Sequence, residues 1–286
     1  MSVAPLRHRE PSCRDDFTID QNWAGYTEEE HAIWRLLFER QRGILVDRAC
    51  DEFLSGLDGL GIAADGIPDF RHLSAVLRET TGWEIVAVPG LVPDAIFFEH
   101  LANRRFPSTC FIRTRAELDY LQEPDVFHDI YGHVPLLMNP IFADYMQAYG
   151  QGGLKAADQD ALHHLARLYW YTVEFGLIAT PQGMRIYGSG ILSSKAESLF
   201  SLEDASPNRI GFDLLRVMQT RYRIDDYQES YFTIDSFEQL FQATRPDFTP
   251  YYAALKQRPD YEPGTILPSD RVLHRGIGGY HAGKRG

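Results

Sequence analysis

Asp125-Val126-Phe127-His128-Asp129-Ile130-Tyr131-Gly132-His133-Val134-Pro135 sets two histidines five residues apart, beside a glycine and just ahead of a proline. At about 100° per residue, positions i and i+5 lie roughly 140° apart around a regular helix, so the two imidazoles face one point only if the helix loosens or ends between them. Gly132 and Pro135 read as that break. The His-Glu-x-x-His motif of zinc proteases, whose i, i+4 histidines share one face of an unbroken helix, is absent.

Downstream, residues 162–178 form an almost wholly apolar helical run (Leu165, Leu168, Tyr169, Tyr171, Val173, Phe175, Leu177, Ile178) interrupted by Glu174. A carboxylate there is costly to bury without a partner. Two neutral imidazoles and one carboxylate suit non-haem iron(II), with coordination positions left for oxygen and substrate. The residues alone leave other readings open: hydrogen-bonded core histidines, a glutamate that satisfies a buried Arg or Tyr, zinc at the same ligands in a hydrolase, or a non-enzymatic binding protein.

Around this constellation the pattern is helical. Residues 28–55, 69–81, 94–102, 123–132, 141–150, 159–180, 212–221 and 237–245 read as helices, and Trp83-Glu84-Ile85-Val86-Ala87-Val88 as a strand ending at Pro89-Gly90. There is no internal repeat or interior linker. One mainly α-helical domain with a few short strands is therefore expected over residues 26–268. Residues 1–25 and 269–286, polar or glycine-rich without periodicity, are expected to be flexible ends.

The composition, 44% hydrophobic and 24% charged, is that of an ordinary globular chain, and a net charge of -12 leaves no general basic footprint for nucleic acid. No segment has the roughly 20 apolar residues of a membrane span, and the N-terminus lacks an apolar export signal. Cys13, Cys50 and Cys110 are widely spaced and never in a Cys-x-x-Cys pair, which argues against a disulfide framework and for a cytoplasmic location.

From about Trp83 to Phe241 the chain resembles the catalytic domain of the pterin-dependent aromatic amino acid hydroxylases, most closely the short bacterial phenylalanine 4-hydroxylases. The motifs that carry the resemblance are Val88-Pro89-Gly90-Leu91, Glu123-Pro124-Asp125, Gly132-His133-Val134-Pro135, Tyr169-Trp170-Tyr171-Thr172-Val173-Glu174-Phe175-Gly176-Leu177 and Tyr187-Gly188-Ser189-Gly190-Ile191-Leu192-Ser193-Ser194. The resemblance implies a single catalytic domain of that type. It implies a monooxygenase that makes L-tyrosine from L-phenylalanine with dioxygen and a tetrahydropterin (tetrahydrobiopterin or a bacterial analogue) at iron(II), as the first step of phenylalanine breakdown.

Residue by residue, it makes His128, His133 and Glu174 the iron ligands and puts Glu123 near the iron-bound water. The pterin would stack on Phe97 near Gly90, Leu91, Val92, Asp129 and Tyr169. Arg113 and Ser193 would hold the substrate carboxylate, with Asp125 aiming Arg113, and the substrate ring would sit among Pro124, His128, Trp170 and Gly190. Glu197 would lie under the serine loop. Trp170 stands where tryptophan hydroxylases resemble one another in having phenylalanine, and Ile224 where tyrosine hydroxylases carry an acid, so phenylalanine is the expected substrate. Pro107 and Leu121 replace polar pocket residues of the animal enzymes and leave the pterin preference open. The animal enzymes' regulatory domain and tetramerisation helix do not fit around this core, so a monomer is expected, with pterin-recycling enzymes only as pathway neighbours.

Overall fold

Apolar residues at helical spacing put Ile33, Trp34, Leu37 and Phe38 on one buried face of helix α1, Glu28–Ile44. The computed structural model describes residues 13–119, 121, 123–157 and 159–284. The chain forms two compact units, one of residues up to Gly43 with Asp51–Leu154, the other of Ile44–Cys50 with residues from Lys155 on.

In the first unit, α1 is followed by α2, Asp51–Gly59, and α3, Phe70–Thr80. The side chain of Asp69 caps α3 by accepting the Arg71 N–H. Strands β1, Glu84–Val88, and β2, Arg105–Thr109, pair in parallel through the crossover helix α4, Asp94–Ala102. Phe127 and Tyr131, stacked at 4.7 Å, meet Trp34 and Phe38 of α1 and Phe53 of α2 edge-on. These five rings are the core behind the two histidines. Helix α2 comes so close to the next segment that a Cβ on Gly56 would lie 2.0 Å from Pro135 O. Helix α5 spans Pro140–Ala157.

The second unit is built on a five-stranded mixed sheet of order β4-β3-β6-β5-β7, with β3 Leu177–Thr180, β4 Gly183–Ile186, β5 Asn208–Gly211, β6 Ser230–Ile234 and β7 Val272–His274. Its helices are α6 Leu162–Tyr169, α7 Ser189–Leu192, α8 Lys195–Glu203, α9 Leu214–Met218, α10 Phe237–Thr244, α11 Thr249–Leu255 and α12 Gly279–Lys284. The mainly α class with short strands holds.

Several boundaries differ from the sequence reading. The helix expected over 159–180 is regular only to Tyr169, and its last part, Leu177–Thr180, is a strand paired with β4 and β6. A four-residue apolar run carries no period that separates strand from buried helix. Only Leu214–Met218 of 212–221 is helical. The segment from Ser269, read as a flexible end, supplies β7 against β5, and α12 beyond it, where Tyr280 Oη and Lys284 Nζ both bond Asp226 at 2.9 Å. At the other end, residues 13–25 are also tied down: Ile19 bridges Ala87, Trp23 Nε1 donates to Ile67 O and Gln21 Oε1 accepts Phe70 N–H. Residues 1–12 and 285–286 of the expected flexible ends lie outside the described residues.

Candidate metal centre

His128 and His133 lie in a π-helical segment, Phe127–His133. With about 4.4 residues per turn, positions i and i+5 come to roughly 50° of each other, so a widened turn supplies the loosening that the spacing demands. The proposed break is corrected: Gly132 lies inside the π segment, and Pro135 stands in the first turn of a 3-10 helix, Val134–Met138, where its missing N–H costs no internal bond. Phe127, Ile130 and Tyr131 are buried, and the two histidine Nε2 atoms lie 3.2 Å apart with rings 85° to each other. Two metal–nitrogen bonds of about 2.1 Å meeting near a right angle put their nitrogens about 3.0 Å apart. The pair is already at ligand separation. The Phe106 ring, centroid 5.1 Å away, packs on His133.

Asp125 fixes the start of this segment. Its Oδ1 accepts the His128 N–H at 3.0 Å and Arg113 Nη2 at 2.8 Å, while Oδ2 accepts Arg113 Nε and Arg113 N–H, both at 2.9 Å. Burial alone would raise the Asp125 carboxyl, but the Arg113 guanidinium and the two backbone donors outweigh it and hold it below the usual carboxylate range. Arg113 is itself buried over the Phe127 ring. Asp129, also buried, accepts Thr109 N–H at 2.7 Å, and the one Thr109 hydroxyl proton is shared between Asp129 Oδ2 at 3.0 Å and Pro124 O at 3.2 Å. Burial pushes the Asp129 carboxyl up to about 7.

Glu174 ends a second π-helical segment, Trp170–Glu174, closed by a Phe175 N–H bond to Trp170 O at 2.8 Å. The one Ser189 hydroxyl proton is shared between Glu174 Oε2 at 2.9 Å and Val173 O at 3.0 Å, a contact that helps aim the carboxylate. The backbone of this turn reaches the glutamate only because residue 188 is glycine: a Cβ there would lie 2.4 Å from Glu174 O and Gly176 N. One ligand atom from each of His128, His133 and Glu174 lies within 4.8 Å of the others. Two imidazoles and one carboxylate in that arrangement fit a hard-to-borderline divalent ion such as iron(II).

A Cβ on Gly90 would meet Glu123 Oε1 at 3.0 Å. Leu91 is 54% exposed, Val92, Phe97 and Tyr169 are half-buried, and Phe97 lies edge-on to Phe98. A Cβ on Gly190 would lie 3.0 Å from Phe175 Cζ and 3.2 Å from Glu174 Oε2. Ser193 is buried, with Oγ donating to Ser189 O at 2.8 Å. Trp170 lies face to face with Tyr222 (centroids 4.4 Å) and next to Phe175 (4.7 Å). Ile224 is 70% exposed in the polar bend Ile224-Asp225-Asp226, so its substrate argument finds no wall in this structure.

A model of the biopterin-dependent aromatic amino acid hydroxylases matches residues 20–260. The chain belongs to that family. This hydroxylase is 64% identical over 263 residues to the phenylalanine-4-hydroxylase of Ralstonia nicotianae, covering 92% of this chain and 84% of the relative. It is 61% identical over 262 residues to that of Chromobacterium violaceum, covering 92% and 88%. The iron- and phenylalanine-bound crystal structure of the Chromobacterium enzyme superposes with a TM-score of 0.87 at 60% identity, over 91% of this chain and 94% of the other. A hydrolase or a non-enzymatic carrier, left open by the ligands alone, gains no support from these matches. Sequence reading of the hydroxylase missed Ser189, Phe175, Tyr222 and Gln228. Ser189 stood inside a quoted motif, but nothing in its spacing marks a hydrogen bond to Glu174.

Proposed function

We propose that this hydroxylase is a phenylalanine 4-monooxygenase that opens phenylalanine breakdown by converting L-phenylalanine to L-tyrosine. The observation that carries the proposal is the convergence of His128, His133 and Glu174 ligand atoms within 4.8 Å, in a chain of the biopterin-dependent family. Bound iron(II) and tetrahydropterin supply the activation of dioxygen and the transfer of one oxygen atom to the ring. The protein's own residues position and shield the reactants.

His128, His133 and Glu174 hold the metal, and Ser189 and Asp125 keep the ligands in place. Arg113 holds the substrate carboxylate. Asp125 occupies its Nε and Nη2, and among the described residues Nη1 is left for a ligand. Ser193 assists once its hydroxyl turns from Ser189 O. The phenyl ring lies among Pro124, His128, Trp170 and Gly190. Phe97, Gly90, Leu91, Val92, Asp129 and Tyr169 would hold the pterin, and Glu123 would lie beside the metal site. The hydroxylase works as a monomer, with pterin-recycling enzymes as pathway neighbours, and in the cytoplasm, the location that its free thiols Cys13, Cys50 and Cys110 support. No described helix is long and apolar enough to cross a membrane.

The test is a substrate panel. Phenylalanine, tyrosine and tryptophan are each incubated in air with iron(II)-loaded protein and a synthetic tetrahydropterin, and products are separated chromatographically. Tyrosine from phenylalanine is expected to be the dominant product. Hydroxylation of tryptophan or tyrosine in preference to phenylalanine would overturn the substrate assignment.

A further inference from the structure

Gln228 is 2% exposed, and both its NH2 protons and its side-chain oxygen have partners. Its Nε2 donates to Arg223 O at 3.0 Å and to Asp226 O at 3.3 Å, while Oε1 accepts Trp170 Nε1 at 2.9 Å. This pattern fixes the amide: turned over, it would set its oxygen against two carbonyls and its NH2 against the indole N–H. The Gln228 backbone is anchored in turn, its N–H reaching Glu197 Oε1 at 3.5 Å, and that same oxygen accepts the buried Tyr231 hydroxyl.

The indole it holds stacks on Tyr222 and lies tilted by 31° against Phe175. Ring stacking gives contact area but little torsional direction, since an indole can slide or turn over between two faces with similar contact. The bond to Gln228 is directional. The rings also abut the candidate metal ligand: Phe175 Cζ and Glu174 Oε2 both crowd the Cβ position of Gly190.

We infer that Gln228 is a positioning residue for ring recognition: it fixes the rotation of the Trp170 indole, and the fixed indole sets affinity and selectivity for the substrate's aromatic ring. The inference rests on the proposed function, in which Trp170 lines the ring site. It assigns selectivity to a residue in the loop between Arg221 and Ser230 that touches no reacting atom.

The test is a double-mutant cycle on the iron-loaded enzyme, with Gln228→Leu and Trp170→Phe alone and together. Gln228→Met, equally long and without an acceptor, is the second variant at the same position. Wild-type tyrosine formation is measured first; if it is absent the proposed function fails, not this inference. In the wild-type background either Gln228 variant is expected to raise KM for phenylalanine roughly tenfold with kcat within about twofold, the signature of lost binding rather than lost chemistry. The preference for phenylalanine over tyrosine and tryptophan is expected to fall with it. In the Trp170→Phe background, where no indole N–H exists, the same substitution is expected to change KM by less than about twofold. Equal effects in both backgrounds would overturn the inference, as would unchanged KM and selectivity in a folded variant. If neither variant folds, the bond serves stability rather than selectivity, and the inference also fails.

Discussion

Two buried carboxylates show how one chemical group takes opposite electrostatic roles. Asp125 receives four donors and sits below its ordinary pKa, so its contribution to stability is complete above about pH 4 and lost as the pH falls below that. Asp125→Asn leaves Arg113 charged, buried and without its counter-charge. A loss of about 3 kcal/mol is expected in urea denaturation at pH 7, and a change below about 0.5 kcal/mol would refute the role given to this pair. Glu197 behaves in the opposite way. Burial raises it from 4.5 to about 7, against the opposing bonds from Tyr231 and Gln228 N–H, so the folded state binds the proton more tightly than the unfolded. Stability therefore falls as the pH rises from about 4.5 to about 7, by at most about 3 kcal/mol from this group. Glu197→Gln keeps the oxygen that accepts both donors and is expected to flatten that slope. Parallel pH–stability curves for the two proteins would contradict the assignment.

At the scale of elements, two π-helical segments, Phe127–His133 and Trp170–Glu174, carry the ligands. The histidine spacing made a loosened helix legible, because two residues five apart cannot share a face of a regular helix. It did not show whether the helix breaks or widens, and the reading on Gly132 and Pro135 chose wrongly. The second π segment left no such mark, since one glutamate has no spacing to read. The strands β2 to β7 were missed because each is three to five residues long and runs such as Leu177–Thr180, buried at Leu177 and Ile178 and exposed at Ala179, do not alternate. Gln228 and Tyr222 were missed because the polar loop that bears them has no period at all. Packing behind the π segment gives a direct test at Gly56. Alanine is the better helix former by about 1 kcal/mol, yet its methyl would lie 2.0 Å from Pro135 O. Gly56→Ala is expected to destabilise by about 1–3 kcal/mol in urea despite its propensity, and a stabilised variant would show that the contact relaxes freely.

For the whole molecule, the ligands lie 46 residues apart in sequence, from His128 to Glu174, so a bound ion cross-links the folded chain and has no comparable site in the unfolded one. Metal binding and stability are then linked. At a free ion concentration of 100 times Kd, iron(II) under anaerobic conditions is expected to add about 2.7 kcal/mol to unfolding, reversed by a chelator. Glu174→Gln, which keeps the shape of the side chain, is expected to lose most of this gain. An equal gain in that variant would place the ion elsewhere.

The most direct measurement of the central claim is tyrosine formed from phenylalanine in air, with metal-stripped protein, a synthetic tetrahydropterin and iron(II) added in steps. The expected result is no tyrosine without iron, then a rate that rises with each step and levels off near one iron per chain. Tyrosine formation independent of iron, or none from folded and fully iron-loaded protein, would contradict the claim.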